Sequence, residues 1–107
     1  MSRAELEMRH DIGVDNMMYG TDFAHPEGIW NKTLDNPQAL FGAGRVPEDE
    51  MRRILGENAA PVYRFDMEKL APVVEQSRFT IDDILTAPNG ELDPDVASSV
   101  GRVFKGW

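Results

Sequence analysis

The sequence predicts a mainly α-helical chain of the α/β class that carries one short buried strand. Three observations carry this reading. Helix signals recur along the chain, from the Ser2-Arg3-Ala4-Glu5 capping box to the Pro47-Glu48-Asp49-Glu50 start and the Thr80-Ile81-Asp82-Asp83 turn. Asn16-Met17-Met18-Tyr19-Gly20 is an apolar run too short for a helix and is closed by turn-forming Gly20-Thr21. The chain has 107 residues, enough for one small domain with a modest core.

Taken in order, the capping box opens a first helix from Arg3 to Ile12, and Gly13 ends it. The strand at 16–20 follows. Phe23 to Lys32 holds Pro26 and Gly28 without any period, so it reads as a loop packed down by Phe23 and Trp30. Thr33 to Phe41 is a short helix, broken by Gly42-Ala43-Gly44. Pro47 suits a first helical position, the three acids after it suit the positive end of a helix dipole, and Met51, Ile54 and Leu55 form an apolar stripe. Gly56 and Pro61 predict that this helix stops, and that a second starts near Asn58 and carries Val62, Tyr63 and Phe65. Beyond Asp66 the prolines 72, 88 and 94 separate short segments: a helical turn from Thr80 to Leu85, and a last helix from Asp93-Pro94 with Val96, Val100, Val103 and Phe104 on one face. Residues 1–66 thus form a strand-and-helix unit and 67–107 a helical extension.

Eleven Lys and Arg against nineteen Asp and Glu give a net charge of -8, which repels nucleic-acid backbones and anionic lipid surfaces. The absence of cysteine excludes disulfides, thiolate metal sites and cysteine nucleophiles. No apolar run approaches a membrane span and the first residues do not resemble a signal peptide, so the expected location is cytoplasmic.

Candidate chemistry concentrates where the strand ends. In parallel barrels, groups at the C-terminal ends of strands point into a shared pocket. Asp22 holds that position, where a carboxylate either binds a metal ion and accepts a proton from its water or caps the following turn. His25, three residues on, is a ligand, a substrate contact or a loop residue bonded to backbone. His10, near the end of the first helix, is favoured there by the dipole and is assigned no function. The chain holds no His-x-His pair, no His-Glu-x-x-His, no phosphate-binding Gly-rich loop and no nucleophile elbow.

Met18-Tyr19-Gly20-Thr21-Asp22-Phe23-Ala24-His25-Pro26-Glu27-Gly28 resembles the end of the eighth barrel strand in the amidohydrolase 2 family, which reads Gly-Ser/Thr-Asp-Tyr/Phe-Pro-His there. Val46 to Ala60 resembles that family's closing helix, with its Tyr-x-Phe-Asp at Tyr63 to Asp66, and Gly13-Val14-Asp15-Asn16 resembles its approach to the strand. The likeness covers about residues 9 to 85, in the same order. It implies a fragment of a TIM barrel: the last strand and closing helices of a metal-dependent hydrolase or non-oxidative decarboxylase.

In that family the metal, commonly zinc, is held by a His-x-His pair, by histidines of the middle strands and by the strand-eight aspartate. Only the last has a counterpart here, Asp22, with His25 as a substrate contact or an outer partner of the site. A catalytic zinc needs about three protein ligands, so the chain is expected to be inactive alone and to bind no cofactor alone. Ala24 stands where the family has proline. A complete barrel takes about 250 residues, so the expected partner is a complementary barrel chain or a second copy. The alternative is a non-catalytic helical module for oligomerisation or interaction.

Overall fold

The computed structural model describes residues 1–21, 34–42, 44–77 and 79–86. The loop from Phe23 to Lys32 and the last helix from Asp93 lie outside the described residues. Helix α1 spans Arg3–Glu7, and its capping box is present: the Ser2 hydroxyl accepts from the Glu5 N–H while the Glu5 carboxylate accepts from the Ser2 N–H. The expected single helix to Ile12 is divided at Met8, whose backbone leaves helical geometry, and α2 covers Arg9–Ile12. Gly13 closes α2 at φ 93, a conformation open to glycine, and a Cβ there would meet the Asn16 amide at 2.8 Å.

The strand expected over Asn16 to Gly20 does not form. Val14–Asn16 is a 3-10 turn, Met17 has extended dihedrals, and residues 18–21 take no regular structure. The physical reason is the partner: a strand is completed by a neighbouring extended chain, and the described residues contain no strand. The backbone bonds instead to a helix, with the Tyr19 N–H donating to the Ile54 carbonyl at 2.9 Å.

Helix α3 is Asp35–Phe41, and Gly42 is wedged beneath it: a Cβ there would lie 2.4 Å from the Gln38 carbonyl and 3.1 Å from that of Ile84. Helix α4, Glu48–Arg52, starts after Pro47. The two separate helices expected next are in fact one helical run. Arg53–Glu57 is a π turn, α5 is Ala59–Tyr63, and the joints at Arg53 and Asn58 both keep right-handed helical dihedrals. Widening the turn, with the Asn58 N–H donating to the Arg53 carbonyl, carries the helix past Gly56 and Pro61 without a break. Arg64, left-handed at φ 56, ends it.

Helix α6, Met67–Glu75, was not expected, because Pro72 reads as a separator. The Asp66 side chain accepts from the Lys69 N–H and starts the helix, and Pro72 lies within it. Helix α7, Ile81–Leu85, has the expected Thr80 capping box and joins α3, where the Gln38 amide donates to the Asp83 carbonyl at 2.6 Å.

The core is Leu6, Met17, Ala39, Leu40, Phe41, Val46, Met51 and Ile54, with Tyr19 and Leu55 packed against it. Met51 and Ile54 are fully covered by the chain itself, whereas Val62, Tyr63 and Phe65 remain more than half exposed. Helix α6 buries none of its residues, so its apolar arc of Met67, Leu70, Val73 and Val74 faces solvent.

Candidate functional site

Asp22 and His25 lie outside the described residues, so the site is built here from the segment that leads to them. Residues 17–21 form neither helix nor ladder, end at the residue before Asp22, and are held at Met17 and Tyr19. The Tyr19 N–H reaches the Ile54 carbonyl. The Tyr19 hydroxyl donates to the Asn36 side-chain oxygen at 2.9 Å, and its ring meets Phe41 edge-on at 6.3 Å between centroids. Asn58 donates from one amide nitrogen to the carbonyls of Val14 and Met17, each at 2.8 Å. Asn58 is presented to both because the π turn rotates the residue after it toward the 14–17 segment. Burial pushes the Tyr19 phenol up to about 12, which keeps it neutral and able to donate.

Between α4 and α2, Glu50 accepts from Arg9 Nε at 2.6 Å and meets His10 Nε2 at 2.8 Å. The Arg9 hydrogen bond, then that of His10, holds the Glu50 carboxyl below the usual carboxylate range, against a smaller opposing effect of burial. Arg53 ties α4 and the π turn to the 3-10 turn through Asp15 at 2.9 Å. The sequence reading missed Asn58, Glu50 and Tyr19 as organising residues. The signal available for Asn58 was an amide placed directly before the apolar Ala59–Tyr63 stretch of the helix.

Among the described residues no group of three His, Asp or Glu side chains comes together to hold a metal ion. His10 is turned to Glu50.

The model of the Amidohydrolase family matches residues 7–65, more than half of the chain. The chain belongs to the amidohydrolase family. Searches of curated proteins and of solved structures returned no match. No helix among the described residues is long and apolar enough to cross a membrane.

Proposed function

We propose that the chain is the C-terminal segment of a metal-dependent amidohydrolase-type hydrolase or decarboxylase, and that it is inactive by itself. In this reading it is a TIM-barrel fragment that places Asp22 as metal ligand and catalytic carboxylate, with His25 beside the substrate. The histidine ligands of a divalent metal, zinc in the first instance, come from a missing segment or a complementary barrel chain, in the cytoplasm. The observation that supports it best is the segment from Met17 to Thr21, which lies immediately before Asp22 and is anchored to the matched helix by Tyr19 and Asn58. A free backbone edge on such a segment suits a neighbouring strand from another chain. Elemental analysis of the dialysed chain is expected to give well under one zinc per chain. Co-expression with a barrel chain carrying His-x-His is expected to give a complex that retains zinc and loses it when Asp22 is replaced by Asn. Stoichiometric zinc on the isolated chain overturns the proposal.

A second reading, a helical oligomerisation module, is favoured by the exposed apolar arc of α6, which lies beyond the family match. Light scattering at micromolar concentration tests the module: a metal-free homo-oligomer that Val73→Asp on α6 disperses supports it, and one that Val73→Asp leaves intact does not.

A further inference from the structure

The cleft between α1, the end of α3 and the turn before α4 holds a volume of about 250 Å³, lined by the charged Arg3, Glu7, Arg9 and Arg45 and the apolar Leu6, Leu40 and Val46. Three guanidinium groups gather there in a chain whose net charge is -8. Arg9 is matched by Glu50 at 2.6 Å. Arg3 and Arg45 are not matched: among the described residues neither has a carboxylate partner, and both donate to one acceptor, the Ala39 carbonyl, at 3.2 Å and 2.5 Å. Capping the last turn of α3 accounts for that one bond from each. It does not account for the rest of their donors. Arg3 reaches Ala39 through Nη2 alone, and its Nε, which is buried, has no acceptor.

A buried N–H without a partner is uncommon, and two adjacent cations without a counter-ion repel. Both are relieved by the same occupant, an anion with two oxygens set to meet a guanidinium fork. The walls narrow the choice further. Leu6, Leu40 and Val46 are buried apolar side chains, so the cleft floor favours an anion with an apolar body over a bare inorganic ion. The size, below the roughly 300 Å³ where drug-sized pockets begin, suits a single ring or a short chain.

We infer that this cleft is a binding site for a carboxylate borne on a small apolar body, held by Arg3 and Arg45 and independent of Asp22. The carboxylate is either that of a free small acid or a side chain of a second copy, and the test separates the two.

The test follows the arginine Nε–H and backbone amide resonances of the 15N-labelled full chain while benzoate is added at constant ionic strength. Benzoate is expected to shift Arg3 Nε–H and the Leu40 and Val46 amides with half-saturation near ~1 mM, equivalent to about 4 kcal/mol. Arg45→Gln, at an exposed position, is expected to fold and to weaken binding at least ~5-fold, the loss of one charge-assisted contact. Arg3→Gln is expected to abolish the shifts, and Arg45→Gln decides alone if Arg3→Gln fails to fold. Without benzoate, movement of the same resonances with protein concentration, reversed by benzoate, assigns the carboxylate to a second copy and supports the inference. Equal shifts with neutral benzamide, equally tight binding of inorganic phosphate, or unchanged binding by Arg45→Gln overturns it.

Discussion

Replacing Asn58 with Ala removes one side-chain nitrogen that serves two backbone carbonyls, those of Val14 and Met17. Each neutral hydrogen bond contributes about 0.5–1.5 kcal/mol net, so the expected loss is about 1–3 kcal/mol. In a domain of this size each kcal/mol moves the midpoint by roughly 4–8 °C, which puts the expected fall in Tm between about 4 and 24 °C. Urea unfolding followed by circular dichroism measures the loss, and hydrogen exchange at Tyr19 measures where it falls. Exchange there is expected to accelerate more than at Leu40 and Phe41, which sit in the core. Asn58→Asp sharpens the test, because it sets carboxylate oxygens against two carbonyl oxygens at nearly unchanged volume. At pH 7 it is expected to cost more than Asn58→Ala, and at acid pH, where protonation restores one donor, the extra cost shrinks. If Asn58→Ala unfolds within ~0.3 kcal/mol of the natural chain, or if Asn58→Asp shows no excess cost at pH 7, the clamp does not hold the segment.

Three further outcomes are expected. Glu50 has its carboxyl lowered in the folded chain, so its contribution is complete above the unfolded value of 4.5 and is lost as pH falls through the lower folded value; acid unfolding curves of Glu50→Gln are expected to lose that part of the slope below pH 4.5. Tyr19 is raised to about 12 by burial, so its contribution is present below pH 10 and fades as pH rises toward 12, and the 295 nm phenolate absorbance of Tyr19 is expected to appear together with loss of helix signal, a coupling that Tyr19→Phe removes. Gly42→Ala forces a Cβ against the Gln38 and Ile84 carbonyls and is expected to destabilise by about 1–3 kcal/mol in denaturant titrations, with a stability equal to the natural chain counting against that packing.

What the sequence discloses about this fold is what depends on neighbours in the chain. The capping boxes at Ser2 and Thr80 are closed by residues three positions away, and both are where the spacing puts them. Gly13 likewise ends α2 because only its own backbone is involved. Features settled at longer range are not legible. Met17 to Gly20 has strand composition, but whether it pairs depends on an extended neighbour, and the acceptor it finds is a helix carbonyl 35 residues away. The π turn hides behind Gly56 and Pro61, whose usual meaning is a stop. Helix α6 hides behind Pro72, since the Asp66 cap that starts it outweighs the proline. The convergence of Arg3 and Arg45 on Ala39 joins residues from two helices and a glycine-flanked turn, and no local pattern marks it.

The π turn also bears on the order in which the chain folds. In the π turn the Asn58 N–H bonds back to Arg53 and not to Ile54, so the Ile54 carbonyl is left to receive Tyr19. That contact closes a loop whose entropy cost is about 3 kcal/mol, (3/2)RT ln n for roughly 35 residues, and a contact of such span is expected to form late. Such a late contact leaves the rate of folding nearly untouched when it is weakened and shows itself as faster unfolding. Weakening it is expected to loosen first the segment that leads to Asp22, and with it to draw Met17 out of the core and Tyr19 off Phe41.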